Sequence, residues 1–394
     1  MGRNDIVQTE AKLSFDFFWN EASLMENSYG LIKDNTVHDA ASIASVGFGL
    51  SAIVVGVNRG WITREEGYKR VVGTLKTFYS KAEQKEGFFI HFLDMQTARR
   101  TWHSEVSVID TAIFLMGALC AAEYFKGQAE EYFEKIYQRV NWQWYTNKEK
   151  NMFYMGYWYE NGFHGAWDLY AEQLMMYILG AASPSFPIDP SMYYEFKRNT
   201  GCYRDYQLIY TWTGSIFTYQ FTHAWIDFRK LYDKNGVNWY ENSVNATKAA
   251  RQYCIDLKGK YKTFGECSWG LTACDSPDGY RGDFGAAPNG ENSTVGKTDG
   301  TIPPAGAIGS IVFVPDEVID AMNHYRTFDN LWGRYGFKDA YNLDKNWFSK
   351  THIGIDKGIS LLMIENYLSG LIWEVTMRNK YIKKGLEKLL IIPK

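Results

Sequence analysis

Six segments of this chain are apolar around most of a helical circumference. They begin at Ala41 (ASIASVGFGLSAIVVGVNRG), Ser104 (SEVSVIDTAIFLMGALCAAEYF), Ala166 (AWDLYAEQLMMYILGAAS), Ser215 (SIFTYQFTHAWIDFRKLY), Pro304 (PAGAIGSIVFVPDEVIDAMNHY) and Ile355 (IDKGISLLMIENYLSGLIWEVTM). A helix that is greasy on every side must be covered on every side. Segments with one wet face alternate with them, following Thr63, Gly127 and Val237. Thr63 with Glu66 three residues on is a capping-box pattern. Gly47, Gly49, Gly117, Ala118, Gly180, Ala181 and Ala182 let the buried helices approach closely. The alternation predicts an all-α toroid, an inner ring of helices wrapped by an outer ring, in one domain over 1–394. Solenoid repeats are shorter and more alike. The long Gly-, Asp-, Asn- and Pro-rich stretch over 262–304 breaks the pattern, and its embedded Trp269, Tyr280 and Phe284 predict an ordered loop at the site.

Composition narrows the partners. Formal net charge is −3 with no basic stripe, which disfavours nucleic acid and anionic membrane. No run of 18 apolar residues appears, so no membrane span is expected. The opening segment has Arg3 but no apolar leader core; Asp5 and Glu10 interrupt it. That sets a cytoplasmic expectation for the chain as it stands, and a periplasmic or secreted one had a leader been removed. Aromatics reach 17%. Such rings serve a large core and equally a cleft on which sugar faces stack. The five cysteines show no CxxC spacing, and free thiols are expected, although Cys267 and Cys274 are close enough to pair. No cofactor or metal motif is present; DSPDGYRGDFG does not match an EF-hand loop. Nothing in the sequence sets the oligomeric state.

Acidic residues cluster at the starts of the greasy segments. Glu105 and Asp110 open the second, Asp168 and Glu172 the third, and Asp356 the sixth, with Glu365 further in. Inner helices running parallel share one rim, where N-terminal dipoles favour ionised acids. Capping explains any one of them. Several on one rim predict a carboxylate-lined pocket, and two carboxylates among aromatic rings are the equipment of glycoside hydrolysis. An Asp168–Glu172 pair would raise the pKa of one member. The seven histidines do not cluster; His103 beside Glu105 and His223 near Asp227 are candidates for substrate contact or for structural hydrogen bonds. An epimerase or lyase on the same toroid, and a sugar-binding protein without catalysis, are the competing readings.

The stretches GLIKD at Gly30, GFFIHFLDM at Gly87, SEVSVIDTA at Ser104, YAEQLMMYILGAASPSFPI at Tyr170, THAWIDFR at Thr222, DGTIPPAGAIGSIVFVPDE at Asp299 and IDKGISLLMIENY at Ile355 resemble the bacterial glucoamylase-like family. That group includes glycoside hydrolase family 144, the β-1,2-glucanases. The resemblance implies an (α/α)6 toroid of six inner and six outer helices, and inverting cleavage of β-1,2-glucan to sophorose or short sophorooligosaccharides. It implies Glu172 as general acid, in AEQ where the family has an NEA-like triplet, and Asp356 in GIDKG as base. Asp110 and Glu105 are rival catalytic candidates. Asp227 and Arg229 are substrate binders or an ion pair, and Trp102, Trp269 and Tyr280 are stacking candidates.

Overall fold

The computed structural model describes residues 5–394; Arg3 lies outside the described residues. Twelve α-helices are present among them: α1 (Asp5–Asn20), α2 (Ile43–Asn58), α3 (Arg64–Ser80), α4 (Val108–Phe125), α5 (Gln128–Gln138), α6 (Leu174–Ala182), α7 (Trp239–Asp256), α8 (Pro304–Ile308), α9 (Pro315–Tyr325), α10 (Gly354–Leu368), α11 (Leu371–Arg378) and α12 (Lys380–Lys388). Strands are confined to short antiparallel pairs between helices. The chain is predominantly helical, as its pattern predicts.

The all-round apolar helices are the buried ones. Every residue of α2 from Ile43 to Gly56 is buried, as are all nine residues of α6. α10 packs on α2, α2 on α4, α4 on α6, and α8 on α10. The amphipathic α1, α3, α5 and α9 lie against this set. α2 and α4 meet backbone to backbone: a Cβ on Gly117 would sit 1.8 Å from the Gly47 carbonyl oxygen. The capping box forms: the Glu66 N–H donates to Thr63 Oγ1 (3.2 Å) and the Thr63 N–H to Glu66 Oε2 (2.8 Å). One apolar cluster runs from Ile6 to Ile391. α4 is long and apolar enough to cross a membrane by length and composition, but 78% of it is buried inside the fold. All five cysteines are free, Cys267 and Cys274 included.

Three greasy segments depart from the expected helices. The third becomes helical only at Leu174. Before it, Gln173 accepts the Ala171 N–H (2.6 Å) and donates to the Leu169 carbonyl (2.9 Å), so a side chain takes the backbone bonds a helical turn would have used. The fourth forms two 3₁₀ turns, Ile216–Tyr219 and Phe221–Ala224; its β-branched and aromatic run is a poor helix former. The fifth splits into α8 and α9, because Pro315 has no N–H to continue a helix and forces Val314 out of the helical region (φ −144°, ψ 72°). The stretch over 262–304 is ordered: Trp269 and Phe284 are buried, and Cys274–Ser276 pairs with Gly279–Arg281 as a hairpin.

Candidate active site

Four buried-helix starts open on one hollow of about 860 Å³. Ser42, the N-cap of α2, lines it; so do Ser107, the N-cap of α4, Glu172 just ahead of α6, and Ile353, the N-cap of α10. Asp34, Glu105, Asp110, Glu172 and Asp275 bring carboxylates to its wall, and Phe92, Trp102, Trp158, Trp167, Phe217 and Tyr280 bring rings.

Irregular segments hold the polar wall. Phe92–Asp94 pairs with Ala40–Ser42, Ile90 bridges Val106, and Val106 bridges Tyr157. This lacing puts His91 beside Glu105, Nδ1 to Oε1 at 2.9 Å, and His91 Nε2 3.7 Å from Asp110 Oδ2. Asp110 also accepts from the Ser107 hydroxyl at 2.5 Å. The Asp34 carbonyl accepts the Gly354 N–H (2.7 Å), which ties that segment to the start of α10.

Burial and neighbouring charge set the protons. Burial alone would lower His91, but Asp110, Glu105 and Asp34 outweigh it and hold the imidazole protonated, up to about 9. Burial would raise Glu105, yet its bond to His91 keeps it below the usual carboxylate range. Burial raises Asp34 and Asp110. Glu172 is pushed up to about 7, first by burial and further by the negative charge of Asp110. His91, Glu105 and Asp110 each place a donor atom within 4.8 Å of the others, a spacing that suits a metal ion. A metal requires a neutral imidazole, whereas the acids around His91 favour its cation.

Asp356 sits in the first turn of α10, 8% exposed, next to the cavity-lining Ile355. It does not itself line the main hollow but borders a small void with Asp339. The two carboxyls face each other, burial raises both, and a proton is retained between them. Among the described residues no N–H or hydroxyl group donates to Asp356 Oδ2 or to Asp339 Oδ1, which leaves the two carboxyls to share that proton.

The remaining sequence candidates divide cleanly. Trp102 and Tyr280 stand half-exposed on the cavity wall. His103 is at the surface, 3.9 Å from Glu160. Asp168 does not line the cavity, and Asp110, rather than Asp168, is the charge that acts on Glu172; the late start of α6 separates the expected pair. His223 is buried, bonded to Ser243 (2.9 Å) and held neutral by burial, down to about 3. Asp227 and Arg229 form a two-pronged ion pair, with the guanidinium over Trp373. Trp269 is core: its backbone bonds the Tyr325 hydroxyl. Glu365 lies about three turns down α10 from the cavity, paired with Arg59 (2.8 Å). His223, Asp227, Arg229, Trp269 and Glu365 thus spend their contacts on the fold and stand off the cavity wall. Sequence reasoning missed Asp34, His91 and Asp275 as site residues; all three sit outside helices, where no periodicity marks a face.

A predominantly helical fold whose buried helices open at their starts on one ring-walled, carboxylate-lined hollow defines the class of the glucoamylase-like toroids. The chain belongs to the family described as "Putative glucoamylase", whose model matches residues 164–380. A relative from Parabacteroides distasonis, named exo beta-1,2-glucooligosaccharide sophorohydrolase (non-reducing end), is 29% identical over 431 residues, covering 98% of this chain and 57% of its own length. The chain thus spans a little over half of that relative. The endo-beta-1,2-glucanase of Chitinophaga pinensis, solved with sophorotriose and glucose, superposes with a TM-score of 0.88 at 27% identity, covering 100% of this chain and 99% of that one. The beta-1,2-glucanase structure from Parabacteroides distasonis gives 0.87 at 27% identity, over 99% of this chain and 60% of that one.

Proposed function

We propose that this protein hydrolyses β-1,2-linked glucan or sophorooligosaccharides with inversion, Glu172 acting as general acid and Asp356 as base. The observation that carries the reading is Glu172: a cavity-wall carboxyl held up to about 7 by burial and by Asp110. Such a group keeps its proton near neutrality and can give it to a departing glycosidic oxygen. The names of the relatives, a sophorohydrolase and an endo-glucanase, supply the linkage.

The base is the carboxyl at a buried-helix start that His91 does not engage. Asp110 is engaged by Ser107 and His91, and Glu105 by His91; both hold sugar hydroxyls, and Asp110 also tunes Glu172. Asp356, one residue from the cavity-lining Ile355, is tied instead to Asp339, with which it shares a proton, and it serves as base when that proton lies on Asp339. An ionised Asp356, set behind the cavity wall, then takes the proton of the attacking water through a water chain or a substrate hydroxyl as that water's oxygen attacks the anomeric carbon, and Glu172 protonates the leaving group on the other face. The test is incubation with a panel of linear α- and β-glucans, products sized by chromatography and their anomer followed by NMR. The expected result is sophorose or short sophorooligosaccharides from β-1,2-glucan, first formed as the α-anomer. Release from another linkage only, unsaturated products, or tight binding without turnover overturns it.

A further inference from the structure

We propose that Trp102 is the platform for a glucosyl unit at the mouth of the cavity, presented there by a clamp between Arg100 and Glu160. The inference rests on the glucan-hydrolase reading above and names which side chain holds the outlying sugar. Trp102 lines the cavity with the carboxylates, yet 51% of it is exposed. Such exposure of the largest apolar side chain carries a solvation cost unless something covers it. Two rings touch it: His38 meets it edge-on at 5.6 Å and 87°, and Phe92 lies 5.0 Å away, tilted. About half of it stays uncovered on the wall of the carboxylate-lined hollow. A β-glucosyl ring presents a flat patch of axial C–H groups, which such a ring accepts.

The segment carrying Trp102 is built to hold this pose. Trp102 and His103 both have left-handed backbones, φ +54° and +51°, a conformation that non-glycine residues adopt only when their surroundings impose it. What imposes it is Arg100. Its Nε donates to the Ser104 carbonyl (2.6 Å) and its Nη2 to the His103 carbonyl (2.7 Å), bridging the arch on which Trp102 stands. Its Nη1 and Nη2 also grip Glu160, at 2.6 and 3.0 Å, anchoring the arch to the hairpin Gly156–Trp158/Gly162–His164. Neither Arg100 nor Glu160 lines the cavity, so they are positioning residues for Trp102.

The experiment compares initial rates of the wild-type protein and of Trp102→Ala, Trp102→Phe and Arg100→Met on sophorotriose and on longer sophorooligosaccharides, with folding checked by circular dichroism. For Trp102→Ala, KM on the longer oligomers should rise about tenfold, the loss of one stacking contact, and by more than KM on sophorotriose. Trp102→Phe should recover most of that loss, and Arg100→Met should reproduce the length-selective KM change, which mere loss of stability would not. An equal KM change at every length, or lower kcat at constant KM, overturns the platform. Should the alanine variant not fold, Arg100→Met and Trp102→Phe decide together: a length-selective KM rise in the first beside a near wild-type profile in the second supports the platform, and no length-selective change in the first overturns it. A wild-type protein inactive on every sophorooligosaccharide overturns the hydrolase reading instead, and that result is distinguishable because it precedes any substitution.

Discussion

Asp110 is 9% exposed and presses its charge on Glu172, the proton donor of the proposed mechanism. This makes its effect separable from that of the acid itself. Glu172 must be protonated to act, so activity falls as pH rises through about 7. Asp110→Asn removes the neighbouring anion, ionisation of Glu172 becomes less unfavourable, and its pKa drops. The alkaline limb of the kcat profile should therefore move to lower pH, by roughly half a unit to one unit for a single partly screened charge. The same substitution takes an acid from beside His91, whose pKa, now about 9, should also fall, visible by NMR of the imidazole. An unmoved alkaline limb would mean that Asp110 does not set the acid.

At the scale of elements, α2 and α4 come together with no side chain between their backbones. Gly117→Ala would drive a methyl group into the Gly47 carbonyl, where backbone cannot yield as a side-chain tip can. Stability should fall by roughly 1–3 kcal/mol, read as a lower urea midpoint at an unchanged m value. This contact was legible in the sequence, since small residues punctuate helices that are greasy on every side, and all-round apolarity has one stable outcome. The sharing of one end by the helix starts was legible for the same reason. What was not legible was where a buried segment stops being helix. Asp168 and Glu172 ahead of α6 read as acids in a first helical turn, but Gln173 closes a local turn with its own side chain, a tertiary detail with no period. The expected Asp168–Glu172 pair failed there, while Glu172 kept its place on the cavity. His91, Asp34 and Asp275 escaped notice because they sit on extended or turning backbone laced by long-range pairing, and only the fold brings them to one wall.

On the scale of the whole molecule, the cavity is a place where stability has been given up. A carboxyl whose folded pKa lies above its unfolded value binds a proton more tightly when folded. Its contribution is then fully present below the unfolded value and is lost as pH rises through the folded one. For Glu172 that window runs from its ordinary 4.5 to about 7, and the burial of Asp34, Asp110 and the Asp339–Asp356 pair acts in the same direction. His91 has the same sign in a higher window: its stabilisation is complete below its ordinary 6.5 and is lost as pH climbs through about 9. Between pH 5 and 7 the acids therefore dominate the loss. Glu172→Gln removes the charge and keeps the shape. It should abolish most hydrolysis, by about 10²–10⁴-fold for loss of a general acid, and yet melt about 2–4 °C higher than wild type at pH 7.5. At pH 4.5, where Glu172 is already neutral in the folded chain, that gap should close. Scanning calorimetry at both values checks this: a variant that is inactive but no more stable at pH 7.5 would mean Glu172 is not held against its solvation, and the reason for assigning it the proton would go with it.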